Sequence, residues 1–212
     1  MCNMTFTPHT DGKQDLGASP PAPPGCGTLL VGDRSLSRSL LLLAAVSAAS
    51  ELDMRVVVFT QTQIQSLPVA LQRCVPSLSP ESLKKIKFSY PRTLEELMQQ
   101  VASLHESTNT SPTPPSLIIV DGLEGYLCGP EGGSHSGFHP GEQSCAAHLS
   151  ALLCDSAAFL TQLLKQRTSS PAPCRLIASF HSEADSRPLA GEASSTDPIL
   201  DVLDRYFQIR DD

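Results

Sequence analysis

Apolar residues along the chain fall into segments of two lengths. The short ones are Thr28–Val31, Arg55–Phe59, Ile86–Tyr90, Leu117–Val120 and Leu176–Phe180. They are rich in β-branched or aromatic residues and read as strands. In three of them the apolar run is continuous, not alternating: Leu29-Leu30-Val31, Val56-Val57-Val58 and Leu117-Ile118-Ile119-Val120. A strand covered on both faces has this appearance, as in a parallel sheet flanked by helices.

The long segments alternate with the short ones. Ser37–Glu51 is apolar nearly all round and predicts a buried helix. Thr93–Glu106 sets Leu94, Leu97, Met98, Val101 and Leu104 on one helical face. Thr93 can cap that helix, and Glu95 and Glu96 suit the positive end of its dipole. Ser144–Arg167 repeats the pattern with Leu149, Leu152, Leu153, Leu160, Leu163 and Leu164. Strands and helices in this order predict an α/β fold with a mostly parallel sheet.

Polar and Pro/Gly-rich stretches separate these elements. Residues 107–116, 129–144, 168–173 and 181–198 read as loops. Residues 1–26 read as a disordered tail, closing on a Pro-rich stretch, and residues 27–212 as one domain.

Composition narrows the class. The chain has 212 residues, 40% hydrophobic and 17% charged. It can bury a real core. The net charge of −7 argues against gripping nucleic acid by bulk electrostatics. With no Trp and 5% aromatics, a base-stacking platform is not expected. The longest apolar run, Leu40–Val46, has seven residues, against about 20 for a membrane span. The N-terminus shows no secretory signal pattern. Seven scattered cysteines without a CxxC pair read as reduced thiols of an intracellular protein.

Candidate chemistry begins at the first strand–helix junction. A phosphate-cradling loop reads G-x-x-x-x-G-K-[ST] there. This chain has Gly32, Asp33, Arg34, Ser35, Leu36, Ser37, Arg38 and Ser39. The frame is in place, with Ser37 and Arg38 where Gly and Lys belong. Ser37 resists the turn that Gly allows. Arg38 brings a planar fork in place of a compact charge. Ser39 can still ligate Mg²⁺. The fourth strand ends in Asp121, an acid after four apolar residues, which can hold Mg²⁺ through water. The nucleotide-binding set is therefore Gly32–Ser39 with Asp121, and the Mg²⁺ set Ser39 and Asp121. ATP and Mg²⁺ binding are expected to be weakened. No acid follows the second strand to orient an attacking water, although Gln61 or Gln63 can place one. No catalytic residue is assigned.

Several strings carry a resemblance. They are Ser82-Leu83-Lys84-Lys85-Ile86-Lys87-Phe88-Ser89-Tyr90-Pro91 with Leu94-Glu95-Glu96-Leu97, then Ser116–Leu127, Ala151–Phe159 and Leu203-Asp204-Arg205-Tyr206-Phe207. In this order, over residues 27–207, the chain resembles the SWIM-domain-associated, ATPase-like recombinase paralogues of the vertebrate Shu complex. The resemblance implies a RecA-like P-loop core and a nuclear role in homologous recombination repair. It implies as partners a SWIM-domain zinc-finger protein, the strand-exchange recombinase and its paralogues, and single-stranded DNA, with no membrane. A RecA-like core usually continues past Tyr206-Phe207, so its last strands are expected to be missing. Two alternatives stand beside this reading: an active, single-stranded-DNA-stimulated P-loop ATPase, and a nucleotide-binding α/β module unrelated to recombination.

Other constellations are read more plainly. Lys84, Lys85 and Lys87, with Arg92, form the one dense basic cluster, either a DNA contact or a strand edge kept from pairing by lysines. Cys128, His135, His139 and Cys145 lack a CxxC knuckle, and no zinc is expected. Cys154, among leucines, reads as a small core residue.

Overall fold

A computed structural model describes residues 26–64, 79–107, 113–128, 140–167, 172–181 and 197–211. Six strands form one sheet: β1 (Gly27–Val31), β2 (Val56–Thr60), β3 (Ile86–Ser89), β4 (Leu117–Asp121), β5 (Arg175–Phe180) and β6 (Phe207–Asp211). The spatial order is β3-β2-β4-β5-β1-β6. Every pairing is parallel. The helices are α1 (Arg34–Ser50), α2 (Pro80–Leu83), α3 (Leu94–Ala102), α4 (Leu104–Ser107), α5 (Glu124–Leu127), α6 (Pro140–Arg167) and α7 (Pro198–Asp204). This α/β fold is consistent with a RecA-like core.

The continuous apolar runs are explained by two cores on opposite faces. Val56 and Val58 of β2, with Leu117 and Ile119 of β4, meet Leu41, Ala45, Ala48 and Ala49 of α1. The alternate residues Val57, Phe59, Ile118 and Val120 join the larger core, with Leu97 of α3, Leu149, Leu153, Leu160 and Leu164 of α6, and Leu203 of α7. Successive strand side chains point to opposite faces, so a strand covered twice cannot alternate. α6 is long and apolar enough by composition to cross a membrane. Here its leucine stripe lies in the sheet's larger core.

Several boundaries differ from those the sequence suggests. α1 begins at Arg34, three residues before Ser37, because Asp33 caps it. The predicted Thr93–Glu106 helix divides at Ser103, which caps the end of α3. The 181–198 loop gives way to α7, opened by the Asp197 cap and Pro198 at the first turn. Past Tyr206 the chain adds a sixth strand, β6, that the apolar pattern did not mark. Phe207 and Ile209 of β6 pack inward while Gln208 and Arg210 are exposed.

The cysteine reading also needs correction. Cys26 and Cys154 are joined in a disulfide, with Cα atoms 5.5 Å apart. Cys26 leads into β1 and its N–H bonds the Tyr206 carbonyl at 2.8 Å. Its partner lies in α6. Among the described residues, Cys128, Cys145 and Cys174 keep their thiols.

Candidate functional site

The chain leaves β1 under α1 on one face and returns over the other face to β5 and β6, which flank β1. A ligand crevice in a doubly wound sheet lies beyond the carboxyl ends of the strands at such a reversal. Thr60 and Asp121, the last residues of β2 and β4, stand at that end, with Gly32 and His181 just past β1 and β5.

Residues 34–39 are not an open loop but the first turns of α1. Ser37 is buried, and its N–H bonds the Asp33 carbonyl at 2.9 Å, as a helix requires. No glycine lies between Asp33 and Ser39 to hold the backbone open. The Asp33 Oδ1 accepts the Ser35 N–H at 2.9 Å, the Leu36 N–H at 3.0 Å and the Ser35 hydroxyl at 2.6 Å. These bonds hold the Asp33 carboxyl below the usual carboxylate range, the Ser35 hydroxyl contributing most. Ser39 spends its hydroxyl on the Ser35 carbonyl at 2.8 Å. Arg34 and Leu36 face outward.

Asp121 is 5% exposed. Its Oδ2 accepts Arg38 Nε at 2.8 Å and the Thr60 hydroxyl at 2.9 Å, while Oδ1 is buried with no hydrogen-bond partner. Arg38 also donates to Thr62 Oγ1 at 3.2 Å. Two positions drawn from separate motifs, Arg38 and Asp121, are thus directly joined. Beside them, Tyr126 is buried and donates to the Pro91 carbonyl at 3.3 Å. Burial, and then the Asp121 charge, push its phenol well above its ordinary range.

A second knot was not visible in the sequence. Arg34 reaches Glu124 Oε1 at 3.0 Å through Nη2, and Glu124 Oε2 accepts the His181 N–H at 3.1 Å. The His181 ring meets the Gly32 carbonyl at 2.9 Å. Glu124 follows Asp121 by three residues, and that acid-x-x-acid spacing after a buried strand was the available signal. Gly122, between them, has φ +76°, and its N–H bonds Ser179 Oγ at 2.9 Å. Gln61 is committed to structure, donating to the Arg92 and Gly125 carbonyls at 3.1 and 2.9 Å. Gly32, Arg34, Ser37, Glu124, Ser179 and His181 line a small, part-open depression between these groups. As arranged, the segment does not have the form of a phosphate loop.

Comparison with known proteins sets this geometry in a lineage. No protein-family model matches the chain. A Mus musculus protein named ATPase SWSAP1 is 36% identical over 195 residues, covering 92% of this chain and 58% of the relative. A Homo sapiens protein of the same name is 34% identical over 181 residues, covering 84% of this chain and 67% of the relative. The chain belongs to the SWSAP1 family. It spans 58% of the length of the Mus musculus relative.

The remaining candidates of this SWSAP1-family chain lie away from the crevice. Lys84 pairs with Glu81 at 2.9 Å, and Lys85 with Asp53. Both lysines precede β3 in a turn, and only Lys87 sits in the strand, exposed on the sheet edge. Arg92 is exposed, with its N–H on Glu96 Oε2 at 2.7 Å. Cys128 is exposed and Cys145 half-buried in α6, while His135 and His139 lie outside the described residues. Among the described residues no group of three or more His, Cys, Asp or Glu could hold a metal ion.

Proposed function

We propose that this chain is a RecA-like paralogue subunit that assists recombinase assembly on single-stranded DNA during homologous recombination, with a degenerate ATP site. The observation that carries the reading is the 36% identity, over 92% of the chain, to a protein named ATPase SWSAP1. The all-parallel sheet supports it. The partners are a SWIM-domain zinc-finger protein, as in a Shu-type complex, and the strand-exchange recombinase with its paralogues, and the site of action is the nucleus. The degenerate site is supported by the helical course of residues 34–39 and by the Arg38–Asp121 pair. A DNA contact through Lys84, Lys85 and Lys87 belongs to this reading, Lys84 and Lys87 being exposed and Lys85 half-buried.

Co-expression with a SWIM-domain zinc-finger protein tests it. The pair should co-elute and speed recombinase filament growth on single strands. Separate elution and unchanged filament growth would reject the reading.

An ATPase remains the second reading, favoured by the relatives' names and by the unpaired Oδ1 of Asp121. It requires single-stranded-DNA-stimulated turnover that Asp121→Asn removes.

A further inference from the structure

We infer that this chain fills its own nucleotide site: Asp33 stands where a phosphate would meet the start of α1, and Arg38 stands where a cation would meet Asp121. The inference deepens the reading of a degenerate ATP site and rests on it.

The anion place comes first. A helix N-terminus offers free N–H groups and a positive dipole end, which is why it attracts phosphate. In α1, a helix of 17 residues, the Ser35 and Leu36 N–H groups both point at Asp33 Oδ1. A phosphate arriving there would have to displace a carboxylate and then lie beside its charge. The second observation is the cation place. Asp121, at the carboxyl end of β4, is more than nine-tenths buried, with Oδ1 unpartnered. A buried carboxylate needs a compensating positive charge. Arg38 supplies it through Nε, and Thr62 holds the far end of the guanidinium. The Ser39 hydroxyl, the other expected metal ligand, is turned back into the helix.

Space agrees with bonding. The adjoining depression has no enclosed room for even a water-sized sphere, where ordinary ligand pockets offer roughly 300–1,000 Å³. The Arg34–Glu124–His181 chain of contacts spans the same opening, tying α1 to the ends of β4 and β5. The crevice is closed by side chains from four strand ends, with the electrostatic roles of phosphate and cation both taken.

The test compares the whole chain with Asp33→Ala/Ser37→Gly/Arg38→Lys, which frees the amides and restores the Gly and Lys of the frame. The probe is a fluorescent ATP analogue with Mg²⁺. The wild-type chain should show no saturable binding up to millimolar analogue, and the triple variant should gain it. Saturable wild-type binding overturns the inference, and so does a folded triple variant that binds nothing. Should the triple variant fail to fold, the pair is tested through Arg38→Met, Asp121→Asn and their combination. Their coupling should reach roughly tenfold in the unfolding constant, and additive effects overturn the inference. Co-elution with the SWIM-domain protein is scored on the same wild-type preparation. Binding of nucleotide with co-elution sinks this inference alone, and neither binding nor co-elution sinks only the reading in the preceding subsection.

Discussion

Glu124 accepts the backbone N–H of His181 at 3.1 Å, tying the exit of β4 to the end of β5. The same carboxylate holds Arg34, whose side chain is 59% exposed against 11% for that of Glu124. The two partners therefore differ in what their loss leaves behind. Glu124→Ala strands a part-buried N–H and should cost about 1–3 kcal/mol. Arg34→Ala removes the mostly exposed partner and leaves Glu124 its His181 bond, and should cost about 0–1 kcal/mol. Urea midpoints at unchanged m-value measure both. Equal losses would mean that the His181 bond contributes nothing.

Cys26 and Cys154 join the entry of β1 to α6 across 128 positions of sequence. A cross-link of that span restricts the unfolded chain, and its removal should cost about 2–4 kcal/mol. Cys154→Ser, or a strong reductant, should lower Tm, and the two treatments together should do no more than either alone. Peptide mapping without reduction should recover Cys26 and Cys154 as one cross-linked peptide pair. Two free thiols in that map would refute the pairing.

The Asp33 cap gives the α1 start a pH dependence. Its folded carboxyl titrates below the usual range, held there by the Ser35 hydroxyl and the Leu36 and Ser35 N–H groups. A group with a depressed folded value contributes fully above its unfolded value and loses that contribution as pH falls through the folded value. Asp33→Asn keeps the acceptor oxygen and removes the charge. Wild type should be the more stable at neutral pH, and the difference should shrink toward zero in strong acid. Urea midpoints across pH, for both proteins, give the curve. A difference that stays constant into acid would show that the charge does not matter.

Much of the fold was legible because the strands are buried on both faces. Val56-Val57-Val58 and Leu117–Val120 can be continuous only where helices cover both sides, and the two cores bear this out. The start of α1 was misplaced for a local reason. The glycine-and-lysine frame drew the turn to Ser37, while Asp33, a strong cap, already fixed the helix at Arg34. Asp121 was legible as an acid ending a buried strand. Its pairing with Arg38, 83 positions away, was not. Glu124, His181 and Thr60 come from three separate strand ends that only the sheet order brings together. The Cys26–Cys154 pair was hidden in the same way, since neither cysteine has a neighbour in sequence that marks it.

Cys128 and Cys174 should differ sharply in reactivity. Cys174 is buried at the entry of β5, where its N–H bonds Thr161 Oγ1 at 3.0 Å. Burial pushes its thiol up to about 12. Cys128 is exposed at the end of α5. Alkylation proceeds through the thiolate, so a raised value and poor access both slow it. With iodoacetamide at neutral pH, Cys128 should label ahead of Cys174. Cys174 should follow at least about a hundredfold more slowly, and should catch up once the chain is unfolded in urea. The same shift fixes the sign at alkaline pH. A folded value above the unfolded one gives a contribution that is complete below the unfolded value and fades as pH rises toward about 12. Cys174→Ala should flatten that alkaline fall, although it leaves a small cavity. Mass-spectrometric labelling rates settle the first point and urea midpoints at rising pH the second. Rapid labelling of Cys174 in the folded chain would place β5's entry in contact with solvent and contradict the packing of the larger core around it.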